Sequence, residues 1–291
     1  MIPPSFEYHV PDSVSDAIGM LRRYGAEAKL LSGGMSLIPL MKLRLAEPAH
    51  VIDINRISGL DHIKEEDGFL RIGALVREAD LEKSSLIRSK YPLLLDTTLV
   101  IADPLVRNRA TVGGNLAHAD PANDHPATML ALEAELVVVG PQGERKIPVT
   151  SFFTDLFTTA LSSDEILTEI CIPIPMPGSG GAYFKLERKV GDFATAGVAA
   201  QVTVGKEDIC DRVGIGLTNV GLTPVKAEKA EEALRGKKID GESIKRAAQL
   251  AAQESQPTAD LRGSEEYKRD LVRVLTVRAL NLALERSRGG K

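Results

Sequence analysis

Two pairs of adjacent glycines, each beside a hydroxyl residue, carry the strongest chemical signal in the chain. They lie in Leu30-Leu31-Ser32-Gly33-Gly34-Met35-Ser36-Leu37 and in Ala110-Thr111-Val112-Gly113-Gly114-Asn115. Residues without Cβ let backbone amides turn toward an anion and let that anion approach closely. One Gly-Gly alone is ordinarily a turn. Two such loops suit a group with two adjacent charges, such as a pyrophosphate. Neither pair is followed by the Lys that a Walker loop needs, which argues against nucleoside triphosphate hydrolysis. Gly214-Ile215-Gly216-Leu217-Thr218-Asn219-Val220-Gly221 looks superficially like a dinucleotide fingerprint, but its third glycine comes two places late and no helix begins where one is required. That stretch reads as a strand whose small residues let a helix pack close.

Other residues could do chemistry but point there less strongly. His118-Ala119-Asp120-Pro121-Ala122-Asn123-Asp124-His125 holds two His and two Asp, yet Pro121 and Pro126 break the spacing that would converge metal ligands. A loop with Asx-type turns leading to a helix cap is the better reading, and no metal site is expected. Arg107 and Arg109 are either solvated or paired within the protein, or one of them meets a phosphate or a partner chain. Phe193, in Gly191-Asp192-Phe193-Ala194, is either core or a cover for a ligand. Cys171 and Cys210 stand alone and cannot supply a disulfide framework or an iron–sulfur cluster.

The elements that must position these loops can be read from periodicity. Ser13 and Asp16 open a helix with Val14, Ala17, Ile18 and Leu21 on one face, and Gly25 stops it. Strands at Ala28–Leu31 and His50–Ile54 flank the first loop. A hairpin turns at Asp67-Gly68, and helical segments over Glu78–Leu81 and Pro92–Ile101 lead toward the second loop. A helix near Pro126–Leu132 and strands at Glu135–Val139 and Arg145–Val149 follow. Strands and helices mix without a regular βαβ repeat, so the fold class is α+β. The Pro/Gly-rich run Ile172–Gly180 marks a domain boundary. Beyond it come three strand-like segments, Tyr183–Arg188, Ala199–Val204 and Val213–Val220. Three helices then end the chain, Pro224–Arg235, Glu242–Glu254 and Ser264–Arg286. This order predicts a three-stranded antiparallel sheet with a three-helix bundle. Leu271, Leu275, Ala279 and Leu282 serve as its core rather than as a docking stripe.

Composition sets the outer limits. The 291 residues are 43% hydrophobic and 26% charged, ordinary for about two globular domains. A net charge of −4 and only 4% aromatic residues leave no footprint for nucleic acid. No apolar run approaches a membrane span, and the N-terminus lacks a basic and an apolar leader region, so cytoplasmic residence is expected.

Across its whole length the sequence resembles the FAD-carrying medium subunits of the molybdenum hydroxylases, the family of xanthine dehydrogenase and aerobic carbon monoxide dehydrogenase. The match runs from Pro4-Ser5-Phe6-Glu7-Tyr8 to Pro257-Thr258-Ala259-Asp260-Leu261-Arg262-Gly263-Ser264. It is most specific at Ser32–Lys42 and Asp103–Asn115. The chain departs from the family at Ser32, usually Ala, at Met35, usually Thr, His or Gln, and at His125, where many relatives carry an apolar residue.

The resemblance implies a two-part FAD-binding domain of the vanillyl-alcohol-oxidase type over residues 1–175, with subdomains of about 1–55 and 56–175, and a C-terminal domain over 180–291. Leu30, Leu31, Ser32, Gly33, Gly34, Met35, Ser36 and Leu37 would cradle the pyrophosphate and ribose of a non-covalent FAD. Thr111, Val112, Gly113, Gly114 and Asn115 would hold it from the other side. Asp124, Ile101, Leu167 and Lys185 fall at further cofactor-contacting positions. No catalytic residue is assigned, since the chemistry would be the flavin's.

A molybdopterin on a large partner and two-iron two-sulfur clusters on a small partner would complete the enzyme, in a dimer of heterotrimers. Electrons would pass from the clusters through FAD to NAD, a quinone, oxygen or another acceptor. Peripheral association with the inner face of the membrane is compatible with this. The competing readings are a self-contained flavin oxidoreductase of similar fold and a non-catalytic nucleotide-binding scaffold.

Overall fold

The computed structural model describes residues 2–289. The chain opens with β1 (Glu7–His9), α1 (Val14–Tyr24), β2 (Ala28–Leu31), α2 (Leu37–Lys42) and β3 (His50–Asp53). The Ser13 hydroxyl accepts the Asp16 amide at 3.1 Å and so caps α1, whose Ala17, Ile18 and Leu21 are buried as their spacing requires. The strands pair in the order β1-β3-β2, all parallel, so β2 and β3 end at the same edge of the sheet. From that edge the first glycine loop departs, the usual place for a ligand site in a parallel sheet.

The middle of the chain begins with the hairpin β4 (Ile63–Glu66) and β5 (Phe69–Gly73), turning at Asp67 and Gly68, both with positive φ. Six short helices follow: α3 (Glu78–Lys83), α4 (Ser85–Lys90), α5 (Pro92–Leu99), α6 (Pro104–Arg107), α7 (Val112–His118) and α8 (Asp124–Ala131). Then come β6 (Glu135–Gly140), β7 (Gly143–Pro148), the small pair β8 (Phe153–Asp155) and β9 (Thr158–Thr159), and β10 (Ile166–Pro173). β10 returns to the middle of an antiparallel sheet ordered β4-β5-β10-β6-β7. Leu70, Ile72, Leu94, Leu116, Met129, Leu136 and Ile170 pack into its core. The glycine pair of the second loop sits inside α7 rather than in a loop. Glycine is a poor helix former, which hides this helix from periodicity, but the Thr111 hydroxyl caps it by accepting the Gly114 amide at 3.1 Å.

The last part holds β11 (Ser179–Leu186), β12 (Ala196–Val204), β13 (Cys210–Thr218), β14 (Val225–Lys226), α9 (Glu228–Leu234), α10 (Gly241–Glu254) and α11 (Glu265–Ser287). The sheet is antiparallel but has four strands, not three, because β14 adds a two-residue edge too short to leave an alternation. The three helices pack in series, α9 on α10 and α10 on α11. α11 lies on β11 and β12 while α8 covers β13 from the middle of the chain. A sheet covered on both faces needs near-continuous small and apolar residues, as β12 and β13 have. At Gly214 and Gly216 an added Cβ would run into the carbonyls of Ala131 and Ala127 in α8. This is the close packing that the glycine spacing suggested, and no dinucleotide fingerprint. In α11 the buried stripe is Val272, Leu275, Ala279 and Ala283, with Leu271 and Leu282 at its margin.

A candidate cofactor site at the two glycine segments

The two glycine segments meet. The Ser32 and Thr111 hydroxyl oxygens are 3.1 Å apart, bridging residues 79 positions distant in sequence. A Cβ at Gly33 would collide with the Arg109 carbonyl and the Ala110 backbone. One at Gly114 would sit 2.6 Å from the Thr111 hydroxyl and 2.8 Å from that of Ser32. Gly33 is therefore needed for the two backbones to touch, and Gly114 leaves room for the hydroxyl pair. Asn55, just past β3, donates to the Ser32 carbonyl at 2.8 Å and to Asp53 Oδ1 at 2.6 Å. Arg77 reaches from the start of α3 to both the Asn55 side-chain oxygen and the Arg109 carbonyl. One guanidinium thus ties the ends of both segments together. Asn55 and Arg77 were not singled out from sequence. Their partners lie 22 to 32 residues away, and no local spacing signals such a bridge.

The two segments differ in what they can donate. Among the described residues, the amides of Gly33, Gly34, Met35 and Ser36 have no protein acceptor, and Gly34 holds φ +76°. Four successive unpaired amides in a tight turn form an anion-binding concavity. In the second segment the Val112 and Gly113 amides are already spent on the Val76 and Ala74 carbonyls, at 3.0 Å each, and the Gly114 amide on Thr111. Val112 and Gly113 are buried, with Gly113 flat against Ala74. The second segment therefore offers hydroxyl and amide side chains to a ligand, and its glycines serve contact with the rest of the fold. Asn115 Oδ1 is buried without a partner. Arg77 binds only neutral oxygens. Burial, and next the charge of Arg109, hold its guanidinium below its usual pKa. Arg77 and Arg109 bring positive charge to the junction, with the Asp53 and Asp80 carboxylates near them.

A second group of expected residues continues from Asn115. The Asn123 side chain donates to the Asn115 carbonyl at 2.9 Å, and Asp124 follows at the first turn of α8. Asp124 takes Tyr183 Oη at 2.7 Å and Lys185 Nζ at 3.0 Å, and Lys185 also reaches the Asp192 carbonyl at 3.1 Å. Burial raises the Asp124 pKa, with Lys185 and Tyr183 opposing it. Gly191 packs against Ala102, beside the buried Ile101. Ile101, Asp124 and Lys185 thus join one continuous wall with the second segment. Leu167 stands apart, as part of the apolar core around β10. Phe193 is exposed, with the Arg262 guanidinium 5.9 Å from its ring centre.

The other sequence candidates resolve into structural roles. Arg107 is buried, bonded to Glu82 at 3.0 Å and to the Ile101 carbonyl at 3.1 Å, so it is not free for a partner; Arg109 is exposed. His125 is buried against Glu78 at 2.7 Å, while His118 lies beside Phe157. The two His residues do not converge. The Asp120 carboxylate accepts the Ala122 amide at 2.9 Å, the Asx-type turn expected there.

A family profile described as the FAD binding domain in molybdopterin dehydrogenase matches residues 4–175, and one described as the CO dehydrogenase flavoprotein C-terminal domain matches residues 181–283. The carbon monoxide dehydrogenase medium chain of Hydrogenophaga pseudoflava is 45% identical over 98% of this chain and 99% of its own. The 6-hydroxypseudooxynicotine dehydrogenase complex subunit alpha of Paenarthrobacter nicotinovorans is 38% identical over 100% and 98% of the two chains. A solved structure of the Hydrogenophaga pseudoflava carbon monoxide dehydrogenase superposes with a TM-score of 0.96 at 46% identity, covering 98% of this chain and 99% of that one. With both profiles matched and this likeness running end to end, the chain belongs to the family of FAD-binding medium subunits of carbon monoxide dehydrogenase and related molybdenum hydroxylases.

Proposed function

We propose that this chain holds one FAD at the junction of its two glycine segments and serves as the electron-transfer subunit of a molybdenum hydroxylase. The observation that carries the site is the run of four unpaired amides at Gly33–Ser36 next to the Ser32–Thr111 hydroxyl pair. A pyrophosphate needs this combination of amides, hydroxyls and nearby guanidinium charge, so the residues present fit the cofactor. When bound, FAD supplies the redox chemistry, accepting electrons and releasing them to an external acceptor. The protein's own part is placement. Gly33–Ser36 would bind the phosphates, with Leu30, Leu31 and Leu37 shaping the turn around them. Thr111 and Asn115 would orient the cofactor from the facing side, over Val112, Gly113 and Gly114. Ile101, Asp124 and Lys185 would continue that wall toward the flavin. Lys185 is already neutralised by Asp124, which keeps the wall from adding a free charge. Leu167 would act from beneath, through the packing of β10, and Met35 would contribute its amide alone. A two-lobed arrangement of the vanillyl-alcohol-oxidase type follows if the cofactor lies between the parallel and the antiparallel sheet.

Partner subunits would carry the molybdopterin and the two-iron two-sulfur clusters, because the two cysteines here are buried and separate. We place the iron–sulfur partner on the exposed residues Asp103, Pro104, Leu105 and Arg109, beside the wall that Ile101 joins. The test is reconstitution with separately purified large and small subunits of the same enzyme. Substrate should reduce the flavin only when both partners are present, and Leu105→Glu should slow that reduction at least tenfold. Reduction by substrate with this chain alone would favour a self-contained oxidoreductase instead.

A further inference from the structure

We propose a second ligand site, remote from the glycine segments: a divalent-metal site formed by Glu7, His9 and His50. The three side chains come from two parallel strands. Glu7 stands opposite His50 in the β1–β3 register, and His9 lies two residues further on the same face of β1. His9 Nε2 is 3.1 Å from His50 Nδ1, His50 Nδ1 is 3.4 Å from Glu7 Oε2, and His9 Nε2 is 3.8 Å from Glu7 Oε2. Ligand atoms around a tetrahedral zinc at bond lengths of about 2.0–2.1 Å stand about 3.3 Å apart. Among the described residues this is the one group of His, Cys and carboxylate ligands that converges so closely.

Hydrogen bonding alone does not account for the triad. His50 Nδ1 faces both His9 Nε2 and the Glu7 carboxylate. It can carry one proton for one of them or none, so at least one of the three approaches carries no hydrogen bond. A cation at the centre satisfies all three atoms at once. The rings are also held in place. Tyr24 stacks on His50 with centroids 3.8 Å apart and on His9 at 4.9 Å, so both imidazole planes are fixed before any ion arrives. Both His side chains are largely covered, while Glu7 is mostly exposed and free to swing onto a metal. Two imidazoles and one carboxylate with an open side suit Zn²⁺ with a water as fourth ligand.

The role of such an ion is to fasten an edge. β1 has three residues, is one of the two outer strands of the parallel sheet, and among the described residues pairs only with β3. His50 opens β3 and Asp53 closes it on the side of the first glycine segment, about 10 Å away at the strand rise. The metal would therefore hold β1 to β3 without touching the cofactor residues.

The experiment uses the full, tag-free chain, stripped with chelator, and titrates Zn²⁺ by calorimetry and Co²⁺ by visible absorption. One Zn²⁺ should bind per chain, and Co²⁺ should give the intense bands of a four-coordinate site. His9→Gln and His50→Gln should each weaken Zn²⁺ at least tenfold while leaving the metal-free unfolding temperature and flavin content as in the parent. Hydrogen exchange at the β1 amides should slow on adding Zn²⁺ in the parent and not in the variants. Zn²⁺ binding that is absent in the parent at millimolar concentration, or unchanged in both variants, would overturn the proposal.

Discussion

Gly33 and Gly114 look alike in sequence, but the atoms facing them differ, and so do the expected consequences of adding one methyl. At Gly33 the methyl meets backbone that cannot yield, so Gly33→Ala should cost about 2 kcal/mol of stability as well as flavin. At Gly114 it meets the ends of two hydroxyl side chains, which can rotate aside. Gly114→Ala should cost about 1 kcal/mol, the worth of the Thr111 cap it disturbs, and lose flavin affinity. Urea titration of both variants with and without FAD checks this; equal stability losses would show that the two glycines do the same work. His125 gives a second contrast. Replacing it with Leu strands the Glu78 carboxylate in a dry site, at a cost of about 3 kcal/mol, and adding Glu78→Met should recover most of that. If thermal unfolding shows no recovery in the double variant, the pair is not what the site depends on. Sequence exposed the glycines and hydroxyls because their types are unusual for a packed segment. It hid Asn55 and Arg77, which are ordinary polar residues until the fold brings their partners together.

At the scale of elements, the second segment depends on the cap of α7. Thr111→Ala removes the acceptor of the Gly114 amide and the partner of Ser32 together, and should cost about 1 kcal/mol, whereas Thr111→Ser should retain most of it. Helical circular dichroism would barely register so short a helix, so chemical denaturation and FAD affinity are the readouts. An alanine variant that matches the parent in both would remove the cap from the account. The pair of Arg145, on edge strand β7, and Glu165, just before β10, supplies a pH dependence. The Arg145 guanidinium holds the Glu165 carboxyl down at about 2, from an ordinary 4.5. A depressed carboxylate pKa stabilises the fold above the unfolded value and loses that stability as pH falls from about 4.5 toward 2. Arg145 is partly exposed, so after screening the effect is about 1 kcal/mol. Glu165→Gln should flatten the loss of stability between pH 5 and about 2.5 by this amount, and an unchanged slope would contradict it. The hairpin at Asp67-Gly68 and α1 were legible because turn chemistry and a cap coincide with periodicity there. α6 and α7 were not, since four residues and two glycines leave no period to read.

For the whole molecule, the α+β class and the order of strands before helices could be read from the chain. The sheet's second cover could not. α8 lies among the middle helices in sequence but reaches over β12 and β13 in space, and only the paired carbonyl contacts at Gly214 and Gly216 hint at it. This packing, together with the Arg286–Asp96 ion pair that ties α11 to α5, makes the C-terminal sheet part of the wall behind Asp124 and Lys185. No helix among the described residues is long and apolar enough to cross a membrane. The most direct test of the account is an FAD titration of the purified, full-length chain, with the flavin released by acid and counted. The account predicts one FAD per chain, released entirely to the supernatant and lost in Gly114→Val. A colourless protein that cannot be reconstituted with FAD, or a flavin that Gly114→Val retains in full, would contradict it.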